Sequence, residues 1–310
     1  MLKQVLEIYE LLDDPSINGR TVSEYLKSRG AEQIEVKTIQ GKSGATDFIK
    51  ILFPGSGGKK KAGDAPTLGI IGRLGGIGAR PERIGMVSDA DGAVAAMSCA
   101  LKLADMNRKG DILKGDVIIA THICPNAPTQ PHDPVPFMSS PVNMQDMNQW
   151  EVDAEMDAIL SIDATKGNRV VNFKGIAISP TVKEGYILRV SEDLLDLVEW
   201  TTAKPPRVLP ITMQDITPYG NGLFHVNSIL QPCTAINSPV VGVAVTAETA
   251  VPGCATGACH EIDVEVACVF CLEVAKAFTE EKCRFYNEDE FARLVQLYGP
   301  MNALQTPGKP

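Results

Sequence analysis

Leu2, Val5, Leu6, Tyr9 and Leu12 recur at helical spacing and Asp13-Asp14-Pro15 ends the run, so the chain opens with an amphipathic helix. Thr21-Val22-Ser23-Glu24 has the form of a capping box. It predicts a second helix that Thr21 caps and Gly30 ends. Residues 34–39 and 47–53 then alternate apolar and polar positions like two half-buried strands. The polar stretch 56–64, with Lys59-Lys60-Lys61 at its centre, reads as a solvated loop.

The pattern changes in the middle of the chain. Residues 67–72, 116–120, 158–162 and 240–245 are short and almost wholly apolar, which suits strands covered on both faces. Residues 93–106 place Val94, Met97, Leu101 and Ala104 on one helical face, and residues 263–278 predict a closing helix. Strands and helices alternating in this way predict the α/β class: a mixed sheet with helices on both faces, in one domain over residues 1–310. The proline-rich segment 122–138 and the segment 247–258, rich in Gly, Ala and Thr, follow the ends of predicted strands. Long irregular loops inside such a domain carry function or are disordered, and open α/β sheets place their ligands at the carboxyl ends of strands.

Composition narrows the partners. With 44% apolar and 22% charged residues the chain is an ordinary globular protein. Its formal charge of −9 leaves no basic stripe for phosphates, so nucleic acid is not an expected partner. There is no run of about 18 apolar residues to span a membrane. Acidic residues interrupt the first ten positions, unlike a signal peptide. Eight cysteines in such a chain read as reduced thiols of a cytoplasmic protein. The Gly-rich segment 69–78 lacks both the Gly-Lys-Ser/Thr ending and the Gly-x-Gly-x-x-Gly spacing of nucleotide loops. It predicts a tight approach of backbone to a neighbouring loop. The alternative is an anion-binding nest supported by Arg73 and Arg80.

Five segments, in order, resemble the zinc-dependent aminopeptidases and carboxypeptidases of the glutamyl-aminopeptidase and aminoacylase type. They are the opening helices and strands over 1–53, Asp89-Ala90-Asp91-Gly92 before an alanine-rich helix, Leu113-Lys114-Gly115-Asp116-Val117, residues 156–165, and residues 257–278. The whole chain is also similar to a family known only as domain of unknown function 1177. The peptidase resemblance implies a three-layer α/β/α fold of the zinc-peptidase (phosphorylase/hydrolase-like) type, with no lid domain inserted between Gly75 and Asp89. It further implies a site where two divalent ions polarise the scissile carbonyl and generate hydroxide near neutral pH. The resemblance carries Asp89 onto the bridging-ligand position and Asp163 onto a terminal one.

The remaining positions depart from that pattern. Arg73-Leu74-Gly75 stands where the family has His-x-Asp, and Ile123-Cys124-Pro125-Asn126-Ala127 stands where it has paired glutamates. The late histidine falls in the stretch 253–260. A guanidinium at the first ligand position repels a dication. Two readings therefore stay open. In one, the chain is a metal-dependent amide hydrolase with an altered site for one Zn or Mn ion. The candidate ligands are then Asp89, Asp163, His122 and His260, and His122, Arg73 and Cys259 are the catalytic candidates. In the other, Arg73 replaces the metal by pairing with Asp89, there is no cofactor, and the protein is a non-catalytic small-ligand-binding or assembly protein. Either way the expected partner is a small molecule or short peptide, with a homo-oligomer left open. His132, Asp133, Cys254 and Glu261 lie in the same loops. Cys268 and Cys271 read as core residues and His225 as structural.

Overall fold

The computed structural model describes residues 1–73, 75–78, 86–131, 133, 136–211, 226–251 and 259–305. Helix α1 (Leu2–Leu12) turns Val5, Ile8 and Leu12 into the core and leaves Leu2 and Leu6 largely exposed. Helix α2 (Gly19–Ser28) begins earlier than its capping-box pattern predicts: Asn18 is the cap, its side chain accepting from the Thr21 N–H. Glu24 pairs instead with Arg20 on the exposed face. Asn is as good a cap as Thr, and the one lying three residues ahead takes the role.

Strands β1 (Gln33–Gly41) and β2 (Gly44–Phe53) form an antiparallel hairpin. The buried strand β3 (Leu68–Gly72) follows, then helix α3 (Asp91–Arg108) and strand β4 (Val117–Ile123). A small hairpin, β5 (Thr129–Gln130) and β6 (Phe137–Met138), precedes helix α4 (Met144–Glu151). After it come β7 (Ala158–Lys166), β8 (Gly175–Ile178), β9 (Val182–Lys183), β10 (Tyr186–Ile187) and helix α5 (Glu192–Thr202). Strand β11 (Val240–Ala247), helix α6 (Glu261–Thr279) and helix α7 (Glu288–Tyr298) complete the order.

The main sheet runs β1-β2-β4-β3-β7-β11-β9-β10, with β8 paired to β11. Strands β4, β3, β7 and β11 are mutually parallel, and the flanking pairings are antiparallel. The sheet is therefore mixed, with its apolar parallel strands in the middle, where both faces are covered. One face packs against α2, α3 and α6, while α1 packs on α3 and α6 and α5 packs on α6. The other packs against α4 and a 3-10 turn at Ser228–Thr234.

Helix α3 is enclosed on more than the one face its periodicity predicts. Ala93, Val94, Ala95, Ala96 and Met97 are all inaccessible to water. Small residues permit that close fit. A Cβ on Gly92 would lie 2.4 Å from the Arg73 carbonyl oxygen and 2.7 Å from that of Ile162, so only glycine lets α3 start against the ends of β3 and β7. The chain leaves β3 towards β4 over one face and later returns to β7 over the other. The carboxyl ends of β3, β4 and β7 therefore frame the position where such sheets hold ligands.

Candidate functional site

Two buried ionic clusters sit at these strand ends, one on each face of the sheet. The first forms on the α4 face. The Arg73 N–H ties the end of β3 to β7 by donating to the Ile162 carbonyl at 2.7 Å. The guanidinium, fully buried, donates through Nη1 to Glu151 Oε2 at 2.5 Å and through Nη2 to Asn148 Oδ1 at 2.7 Å. Glu151 closes α4 and is itself fully buried, and its other oxygen meets His122 Nδ1 at 2.6 Å. His122 Nε2 accepts from the Gly75 N–H at 3.0 Å. The tautomer follows: Nδ1 carries the proton and donates it to Glu151.

Both ring nitrogens of His122 are thus occupied, and its ring lies 5.2 Å from that of Phe48. The Gly-rich turn makes the tight approach its composition predicts. A Cβ on Gly75 would fall 1.5 Å from the His122 carbonyl oxygen. The turn's polar groups also serve the neighbouring loop, since Gly75 O accepts from the Cys124 N–H and Ile77 N–H donates to Cys124 O.

The second cluster lies on the α3 and α6 face. Asp91, the first residue of α3 and fully buried, forms an ion pair with Lys166 at the end of β7, itself almost fully buried. Burial holds the Asp91 carboxyl above the usual carboxylate range, although Lys166 and the Cys259 thiol pull it down. Asp263, in the first turn of α6, is likewise raised by burial, against the pull of Lys174, Lys166 and His260.

The residues singled out by sequence fall as follows. Arg73 and His122 meet through Glu151, a partner the sequence reading did not supply; the expected pairing of Arg73 with Asp89 is replaced by this one. Asp89 lies in a 3-10 turn before α3, half-buried, its Oδ2 3.5 Å from where a Gly76 Cβ would stand. Asp163 is buried in β7; Oδ1 accepts from the Ala164 N–H at 2.7 Å and Oδ2 from Ser228 Oγ at 3.3 Å. His260 is exposed at the cap of α6. Cys259 is buried beside Asp91, and burial together with that carboxylate pushes its thiol far up. The thiolate is the reactive form, so a thiol held protonated is a poor nucleophile. His132, His225, Arg80, Arg83 and residues 252–258 lie outside the described residues.

A dinuclear zinc centre does not fit this donor set. Arg73 is paired with Glu151, both nitrogens of His122 are engaged, and a lysine ammonium already neutralises Asp91. Among the described residues no three His, Cys, Asp or Glu side chains come together as a metal-holding group.

The seven described cysteines are all free and buried, Cys268 and Cys271 in the core of α6 as expected. Burial raises the thiols of Cys124, Cys233 and Cys283 from 9.0 to about 11, about 12 and about 12. A raised thiol keeps in the folded state a proton that the unfolded chain gives up. Stability present below about pH 9 is therefore lost as pH rises towards 12. The thermal midpoint is expected to fall across that window, and less steeply in Cys233→Ala. Parallel slopes for the two proteins would show that this thiol is not held protonated.

The order of elements and the mixed sheet define a three-layer α/β/α fold. The chain belongs to the family described as "Protein of unknown function (DUF1177)", whose model matches residues 37–308. Its fold is similar to that of the bottromycin maturation enzyme BotP, at a TM-score of 0.53 and 13% identity, over 90% of this chain and 69% of that one. The LapA aminopeptidase of Legionella pneumophila matches at a TM-score of 0.47 and 11% identity, over 89% of this chain and 71% of its own. No curated protein matches in sequence. Among the described residues no helix is long and apolar enough to cross a membrane.

Proposed function

We propose that this protein binds a small, peptide-derived ligand on a hydrolase scaffold whose metal positions have been taken over by internal ion pairs. One observation carries the reading: the Glu151 carboxylate is fully buried between Arg73 and His122. A carboxylate so placed is already neutralised and has no lone pair directed to solvent for activating water. Arg73 also places, where a first metal would stand, a guanidinium that has hydrogen-bond donors but no lone pair to offer a cation.

A second reading, cleavage of an amide at an altered site holding one Zn or Mn ion, is favoured by Asp163, a carboxylate kept near the carboxyl end of a central parallel strand. Asp89 and Asp163 would then contribute to holding the ion, which would supply Lewis-acid chemistry.

Metal analysis by plasma mass spectrometry separates the two, using protein purified without chelator and Asp89→Ala beside it. The expected result is no stoichiometric metal in either protein, and no rise in melting temperature with Zn²⁺ or Mn²⁺, since a ligand bound only by the folded state would raise it. Stoichiometric metal in the wild type that Asp89→Ala loses would overturn the binding reading in favour of the second.

A further inference from the structure

The main sheet ends in two unlike edges. One edge strand, β10, is only two residues long, a blunt form that protects a sheet from pairing with another chain. The other, β1, runs for nine residues with no strand on its outer side. Among the described residues its outward backbone groups make no hydrogen bond within the chain. Which groups point outward follows from the hairpin. The turn Lys42-Ser43 joins the facing residues Gly41 and Gly44. The pair that closes a two-residue hairpin is hydrogen-bonded, and bonded and non-bonded pairs then alternate. The backbones of Glu35 and Lys37 therefore bond inward to β2, and the N–H and C=O groups of Ile34, Val36 and Thr38 face out.

The side chains of β1 divide by face. Ile34 and Val36 lean on the core on the α2 side. Glu35 and Lys37, the only charged residues of the strand, stand exposed on the other face. There Lys37 Nζ lies 5.6 Å from the centre of the Trp150 ring. A lone lysine on an edge guards it against pairing, but an acidic residue two places away changes the outcome for one partner. When β1 meets a second β1 antiparallel about a two-fold axis through Val36, Glu35 of each copy falls opposite Lys37 of the other. These are non-hydrogen-bonded positions, where facing side chains come closest, so opposite charges attract and like charges repel. The outward groups complete the ladder, Ile34 with Thr38 and Val36 with Val36. An axis through Glu35 sets glutamate on glutamate, one through Lys37 sets lysine on lysine, and axes further out leave both charges opposite neutral residues. The strand is self-complementary in the Val36 register alone.

We propose that β1 is a dimerisation edge, at which a second copy of this chain adds its own β1 and continues the sheet through both molecules, with Glu35 and Lys37 setting the register. The contact is isologous, so it closes as a two-fold dimer instead of growing into a fibre. It does not depend on what the carboxyl ends of the central strands bind, and so it stands or falls apart from the reading above.

Sedimentation equilibrium of the full chain across the micromolar range tests the proposal. The wild type is expected to pass from the mass of one chain to that of two. Glu35→Lys and Lys37→Glu should each weaken the dimer about tenfold or more, because each turns two attractive cross-strand pairs into two repulsive ones. An equimolar mixture of these two variants should dimerise as well as the wild type, since lysine on one chain then meets glutamate on the other at both positions. The double variant carrying both substitutions should regain the dimer for the same reason. Circular dichroism checks that the variants, altered only at exposed side chains, remain folded. Hydrogen exchange locates the contact: the amides of Ile34, Val36 and Thr38 should slow as concentration rises. A wild type that keeps the mass of one chain into the millimolar range, a dimer indifferent to both single variants, or variants that fail to associate on mixing would each overturn the proposal.

Discussion

Glu151→Ala is expected to destabilise the protein by about 3–5 kcal/mol, the cost of leaving one member of a buried ion pair without its partner. The loss reaches further than one contact. The carboxylate holds Arg73 through one oxygen and His122 through the other, all three with almost no access to water. Removing it strands a guanidinium and an imidazole N–H together. Because whole domains hold only about 5–15 kcal/mol in total, a loss of this size brings the variant near the edge of folding, so two milder changes accompany it. Glu151→Gln keeps one acceptor and loses the charge, and should fall between wild type and Glu151→Ala. Arg73→Met combined with Glu151→Leu removes both charges into apolar volume and should recover much of the loss, since a buried pair often breaks even against packing. Recovery stays incomplete because His122 Nδ1–H still lacks its acceptor. Urea unfolding followed by tryptophan fluorescence is a suitable measurement, as Trp150 lies on the same helix and 6.5 Å from Phe48. A Glu151→Ala protein within about 0.5 kcal/mol of wild type would mean that the triad is not the lock described here.

The legible parts of this molecule are those that local pattern encodes. Strands β3, β4, β7 and β11 stand out as apolar runs because the centre of a parallel sheet is covered on both faces. The two long central helices, α3 and α6, follow with boundaries displaced by a few residues. Helix α4 did not stand out. It has eight residues, of which Met144, Met147 and Trp150 are apolar, and its capping box pairs Asn143 with Asp146 rather than with Glu or Gln. That omission hid the partner of Arg73, which lies 78 residues further along the chain. An arginine at the end of a buried strand announces that a carboxylate must be near; it does not say which one. The same holds for Asp91. It was visible in the motif as the neighbour of Asp89, but its burial against Lys166 depends on how α3 meets the end of β7. Candidate chemistry could be read residue by residue, whereas the pairings belong to the tertiary structure.

Lys166→Met should produce the second large loss, about 3 kcal/mol or more at neutral pH, with a pH dependence that identifies its cause. In the wild type the Asp91 carboxyl already lies above its ordinary value of 3.8, burial being the dominant influence and Lys166 the chief opposing one. Without the lysine that opposition is gone and the folded-state value rises further. A carboxyl raised in the folded state keeps a proton that the unfolded chain releases. Its destabilising effect is absent below the unfolded value, grows as pH rises through the interval, and is complete above the folded value. Lys166→Met should therefore stand close to wild type at about pH 4 and far below it at about pH 8. The positive end of α3, where Asp91 is the first helical residue, moderates the loss without removing it, since the macrodipole contributes only about 0.3–1 kcal/mol in ordinary settings. Adding Asp91→Asn removes the titrating group, so the double variant should lose the pH dependence and regain stability at neutral pH. Thermal unfolding of the three proteins across that range decides the matter. A Lys166→Met deficit that stays constant with pH would assign the loss to packing of the lysine stem, and the ion pair would then have no claim to stand in for a metal on this face of the sheet.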